Sequence, residues 1–169
     1  QDDKWLVTER AKTIERYLDL TQNYWGKTDL IIWPEAAIPA FPQEVGSLLD
    51  ELRNQAEQQQ QSLITGIPTM TPQMQYYNSI EVLGQGDGRY QKHHLVPFGE
   101  YVPFEHSLRQ LGGIFNLDMS SFSAGAAQQD PLRVKGVKIA AATCYEVAYS
   151  NQVRENLQDS HWLLTLSND

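Results

Sequence analysis

The 169-residue sequence holds a single cysteine, Cys144, so no disulfide can form within it. That leaves the thiol two uses, as a small buried hydrophobe or as a reactive group. Basic residues are scarce: 13 Lys and Arg stand against 21 Asp and Glu, for a formal charge of −8. With no basic patch in the sequence, nucleic acid is disfavoured as a partner, because a phosphate backbone calls for a positive face. Long apolar runs are also missing. The best stretch, Leu30 to Phe41, is broken by Glu35 and by prolines, and a membrane-spanning helix needs about 20 apolar residues.

Two familiar sets of catalytic residues are absent. No Gly-x-Ser-x-Gly elbow is present to support a serine hydrolase. The histidines do not build a metal site: His93 and His94 are adjacent and would point to opposite faces of a strand, while His106 and His161 are solitary. No metal and no cofactor is expected. The chain has neither an initiator Met nor a leader with charged, apolar and cleavage regions. Gln1 therefore reads as a fragment boundary.

At 41% hydrophobic, the chain can fill one core, which predicts a single domain over residues 1–169. Helical spacing of apolar residues predicts an amphipathic helix from Leu6 to Trp25, and Val45, Leu48, Leu49, Leu52 and Ala56 predict another over 43–61. Between them, Asp29 to Trp33 reads as a buried strand stopped by Pro34, with Glu35 at its C-terminal end. Ser62 to Ile67 reads as a strand and Pro68 to Met74 as a loop. Ser79 to Leu83 and Arg89 to Val96 read as a hairpin around the glycines at 84, 86 and 88. That cluster lacks the dinucleotide-binding spacing and has no helix after it.

Strands are expected at Leu132 to Val134 and Val137 to Ala142, then a helix from Tyr145 to about Leu157 and a last strand at His161 to Leu166. The stretch from Phe98 to Phe122 has no clean period and reads as a lid or a packed connection. Alternating strands and helices with a hairpin give an α/β class with mixed sheets. The abrupt start and finish predict sheet partners missing at both ends.

Three segments carry chemistry: Trp33-Pro34-Glu35, the run from Lys92 to Pro103, and Cys144-Tyr145-Glu146. A thiol attacks a carbonyl only as thiolate and so needs a base, which Glu35 can be. The tetrahedral oxyanion that follows wants fixed donors, and Lys92 with the Tyr145 N–H suits that task. A strand ending at Cys144 and turning into a helix would present sulfur near positive helix N-terminal amides. Taken singly, each residue also has a plain structural reading: an inert buried thiol, a turn-capping carboxylate, a solvated hairpin lysine.

Together the segments resemble the nitrilase superfamily, whose members carry a Glu, Lys, Cys triad on an α-β-β-α sandwich. Trp33-Pro34-Glu35-Ala36-Ala37-Ile38-Pro39, the Lys92 to Pro103 run and Cys144-Tyr145-Glu146 resemble more narrowly the extracytoplasmic domain of the apolipoprotein N-acyltransferase family. The resemblance implies catalytic Glu35, Lys92 and Cys144, with Glu100, Tyr145, Glu146 and Trp5 in support.

It also implies a phospholipid acyl donor, a Cys144 thioester, and transfer to the N-terminal amine of a diacylglyceryl-cysteine apolipoprotein. The setting would be the bacterial inner membrane, with this domain facing the periplasm and the membrane attachment in the parent protein. One rival reading is an amidase that uses the same three residues on small C–N substrates and finishes with water. The other is a non-catalytic domain that binds lipoprotein or membrane.

Overall fold

The structure, a computed structural model, describes residues 2–97, 99–101 and 122–168, with side chains from Thr8 onward. Helix α1 (Asp2–Gln22) starts earlier than its apolar spacing predicts and ends before Trp25, in a turn where Gly26 takes a φ of 74°. Its inner face sets Ile14, Tyr17 and Leu18 against the core. Strand β1 (Leu30–Ile32) follows, and then helix α2 (Gly46–Gln58), which buries Leu49, Leu52 and Ala56 at spacings of three and four residues.

Strand β2 (Ser62–Met70) runs through Pro68, where a loop was predicted. The reason is positional. β1 pairs with residues 62–64, so at Pro68 no strand among the described residues pairs with that side of β2 to demand an N–H, and the other side pairs with Asn78. Strand β3 (Tyr76–Gly84) and strand β5 (Arg89–Gln91) form the predicted antiparallel hairpin. The loop between them contributes β4 (Gly86–Asp87), which pairs with β6 (Leu132–Val134) of a second sheet. Strand β5 stops at Gln91, short of the predicted Val96; after one more amide on the Asn78 carbonyl, those of His93 and His94 are bound by a carboxylate described below.

Strand β7 (Val137–Thr143) pairs antiparallel with β6 around a turn in which Lys135 and Gly136 both have positive φ, 48° and 82°. That combination suits a two-residue hairpin of the primed kind. Cys144–Ala148 is a 3-10 helix, and after Tyr149 comes helix α3 (Ser150–Leu157). The predicted single helix is thus two pieces. Strand β8 (Trp162–Leu166) pairs parallel with β7.

The strand orders are β1-β2-β3-β5 and β4-β6-β7-β8. Alternation along β2 sets the layers: Leu63 and Ile67 join Trp33, Leu49 and Leu52 beneath α1 and α2, while Ile64 faces the other way. There it meets Ile80 and Tyr90 of its own sheet and Leu132, Ile139 and Leu166 of the other, forming the dry seam between sheets. Helix α3 packs on the far side of β7. The result is an α-β-β-α arrangement. Residue 98 and residues 102–121, which include His106 and nearly all of the predicted lid, lie outside the described residues. So does the Trp5 side chain.

Candidate active site

Glu35 sits in a tight turn just past β1, anchored on both sides. Trp33 donates its backbone N–H to the Ile64 carbonyl (2.8 Å) and its indole N–H to Thr21 Oγ1 (2.8 Å), and it stacks on Tyr17. The Pro34 carbonyl accepts from Ala37 N (3.3 Å) and Gly66 N (3.2 Å). Ala36 is forced to a φ of 50°. Gly66 permits this close approach, since a Cβ there would stand 2.5 Å from Ala36 N and 2.7 Å from Glu35 Cα.

Lys92 follows β5, with its N–H on the Asn78 carbonyl (2.8 Å) and its carbonyl accepting from Gly125 N (2.9 Å). Its side chain turns inward and is 1% exposed. A buried ammonium is tolerated only with partners, and here it has two: Glu100 at 3.0 Å (Oε1) and 2.9 Å (Oε2), and Glu35 Oε1 at 3.4 Å. Burial alone would lower the lysine's pKa. The hydrogen bond and charge of Glu100, then the charges of Glu35 and Cys144, outweigh burial and raise it above the ordinary 10.5. Lys92 is therefore a fixed cation at neutral pH, and Cys144 is near enough for its charge to act on that cation.

Asn78, which carried no signal in the sequence, completes the carboxylate pair. Its side-chain amide donates to Glu35 Oε1 and to Glu100 Oε1, 2.8 Å each. Glu100 also accepts from Val96 N at 2.9 Å. These bonds place Glu35, Lys92 and Glu100 around one point.

Cys144 is the first residue after β7, partly exposed, with a φ of 53°. A left-handed conformation costs a non-glycine residue about 1–2 kcal/mol, so surrounding bonds must hold it. Glu146 supplies them. Its buried carboxylate accepts from Thr143 N (2.8 Å), His93 N (2.8 Å), His94 N (2.9 Å) and the Tyr90 hydroxyl (3.1 and 3.0 Å). One side chain thus ties the residues after Lys92 to the residue before Cys144.

Tyr145 donates its hydroxyl to the Leu95 carbonyl at 2.8 Å, and Lys92 Nζ lies 5.6 Å from its ring centre. Burial, then hydrogen bonding with Tyr149, pushes the Tyr145 phenol up to about 12, so it remains a donor at neutral pH. Beside it opens a cavity of about 530 Å³ lined by His94, Leu95, Tyr101, Phe122, Tyr145 and Tyr149. A second cavity of about 330 Å³, with Ala36, Phe41, Pro68 and Asn78 in its wall, shares Phe122. The three described histidines have structural partners: His93 Nδ1 meets the Gly125 carbonyl at 2.6 Å, His94 stacks on Tyr149, and His161 Nδ1 accepts from Lys138 N. No group of metal-binding side chains occurs among the described residues.

The Carbon-nitrogen hydrolase family profile matches residues 2–169. The chain belongs to that family. An apolipoprotein N-acyltransferase of Vibrio parahaemolyticus is 48% identical over 179 residues, taking in 100% of this chain and 35% of that protein. One of Haemophilus influenzae is 41% identical, again over 100% of this chain and 34% of its own length. The chain thus spans about a third of the curated relatives it matches.

Among solved structures, a Helicobacter pylori carbon-nitrogen hydrolase superposes with a TM-score of 0.68 at 20% identity, over 94% of this chain and 55% of that one. A Nesterenkonia amidase gives a TM-score of 0.59 at 18% identity, over 91% and 61%. These likenesses establish the carbon-nitrogen hydrolase sandwich for this chain.

Proposed function

We propose that residues 1–169 are a single, partial catalytic domain that moves a fatty acyl chain from a phospholipid to the N-terminal amine of a diacylglyceryl-cysteine apolipoprotein. The observation that carries this reading is 48% identity to an apolipoprotein N-acyltransferase across the whole chain. The convergence of Glu35, Lys92 and Glu100 beside the Cys144 turn supports it. No helix among the described residues is long and apolar enough to cross a membrane. Attachment to the bacterial inner membrane, with this domain on the periplasmic side, belongs to the same proposal and rests on the likeness to those relatives.

In this mechanism Glu35 takes the thiol proton of Cys144. Its Oε1 is occupied by Asn78 and Lys92, and the bonds among the described residues leave Oε2 for the proton. The thiolate attacks the ester carbonyl, and Lys92 with the Tyr145 N–H receives the oxyanion. The ester C–O bond then breaks and lysophospholipid leaves with the proton, which gives an acyl thioester.

The acceptor amine attacks that thioester next. The C–S bond breaks, the amide forms, and the thiol is restored. Glu100 holds Lys92 throughout, so one carboxylate moves protons while the other fixes the cation.

The test is mass spectrometry of the full-length protein incubated with phospholipid. One fatty acyl group on Cys144, absent in Cys144→Ala, is the expected result. Hydrolysis of soluble amides with no thioester on Cys144 would overturn acyl transfer and favour an amidase.

A further inference from the structure

Tyr90 lies two residues before Lys92 on β5, 3% exposed, with its ring in the seam between the sheets beside Ile64, Ile80, Ile139 and Leu166. Its hydroxyl reaches both oxygens of the Glu146 carboxylate, at 3.1 and 3.0 Å. The other donors to that carboxylate are backbone amides. His93 N and His94 N meet Oε1, and Thr143 N meets Oε2. Tyr90 is thus the side-chain donor among the described residues, and it alone touches both oxygens.

A buried carboxylate held by neutral donors keeps its orientation only while those donors are fixed. The amides of residues 93 and 94 belong to the segment carrying Lys92, and that of residue 143 to the segment carrying Cys144. Rotation of the Glu146 carboxylate would release one segment from the other. Burial and the Glu146 charge push the Tyr90 phenol far above its ordinary 10, so it stays a donor across the working pH range.

We propose that Tyr90 is a positioning residue, whose hydroxyl locks the Glu146 carboxylate so that the Lys92 segment and the Cys144 turn keep one separation. The inference rests on the acyl-transfer reading of Cys144 and Lys92. Tyr90 and Glu146 do not touch the reacting atoms. Their effect is on geometry, where a displacement of about 1 Å can cost about a hundredfold in rate.

The experiment is a quenched single-turnover measurement of the Cys144 thioester in the full-length protein, in detergent micelles with phospholipid. Tyr90→Phe keeps the ring and removes the hydroxyl. The acylation rate constant should fall about ten- to a hundredfold, while the fraction of protein that becomes acylated and the KM for phospholipid stay at wild-type levels. A purely packing role would instead lower the acylated fraction and leave the rate constant alone, and that outcome overturns the proposal, as does a rate constant within about twofold of wild type.

A second variant, Glu146→Gln, closes a double-mutant cycle. The double variant should be no slower than Glu146→Gln alone, and multiplicative losses would overturn the coupling. If the wild-type protein forms no thioester at all, the acyl-transfer reading fails by itself. The same comparison is then made on alkylation of Cys144 by iodoacetamide, where an unchanged rate in Tyr90→Phe removes the positioning role.

Discussion

A lysine 1% exposed, between two carboxylates and an asparagine amide, is the least ordinary residue of this chain. Breaking such a buried cluster from one side leaves uncompensated charge, at a cost of about 3–5 kcal/mol. Lys92→Met should lose that much in denaturant unfolding at neutral pH. The pH dependence follows from the raised pKa. Because the folded value lies above the unfolded one, the stabilisation is fully present below 10.5 and is lost as pH rises through the folded value. The stability gap between wild type and Lys92→Met should therefore stay flat from neutral pH toward 10.5 and close only beyond it. A gap that closes near neutrality would mean that Lys92 is not held as a cation.

Glu35, Lys92, Glu100 and Cys144 stood out in the sequence because they sit in distinctive runs. Asn78 and Tyr90 were not. Both look like ordinary strand residues, and their partners lie 22 to 56 positions away, so only the pairing of β3 with β5 and the packing of the two sheets give them meaning. Glu146 was recognised through family likeness, without its physical task of accepting from two distant segments.

At the scale of elements, strand and helix positions followed apolar spacing well where a neighbour imposed the period, as in α2 and the β6–β7 hairpin. Departures came where hydrogen-bond partners outside the element decided its length. β2 continues past Pro68 because no described strand pairs with that side there, and β5 ends early because Glu146 takes the amides of His93 and His94.

Gly66 shows how an element places the Glu35 side chain. Replacing it with Ala would drive a methyl group against the backbone of the Glu35 turn, and overpacking of this kind costs about 1–3 kcal/mol. Gly66→Ala should lower the melting temperature modestly and slow Cys144 acylation about tenfold or more, by moving Glu35. A wild-type acylation rate in that variant would show that the turn tolerates displacement.

For the whole molecule, the class and the layered sandwich were readable in advance, but the division of labour between the two apolar clusters was not. Alternation along β2 sends neighbouring residues into different layers, and no linear pattern says what lies on each side. The seam between sheets should be the more sensitive site for the reaction centre, since Tyr90 sits in it. Ile139→Ala, fully within that seam, should cost about 2–5 kcal/mol in denaturant unfolding. A loss under about 1 kcal/mol would mean that the sheets are not closely packed there.

The loop at residues 84–88 leaves one sheet, adds two residues to the other through Gly86↔Val134 and Asp87↔Arg133, and returns. This is a covalent stitch, and its effect is on cooperativity. Peeling the second sheet away would tear the first hairpin at its tip, so the halves carrying the lysine and the cysteine cannot melt independently. In hydrogen exchange, the slowest amides of both sheets would then open with one shared free energy.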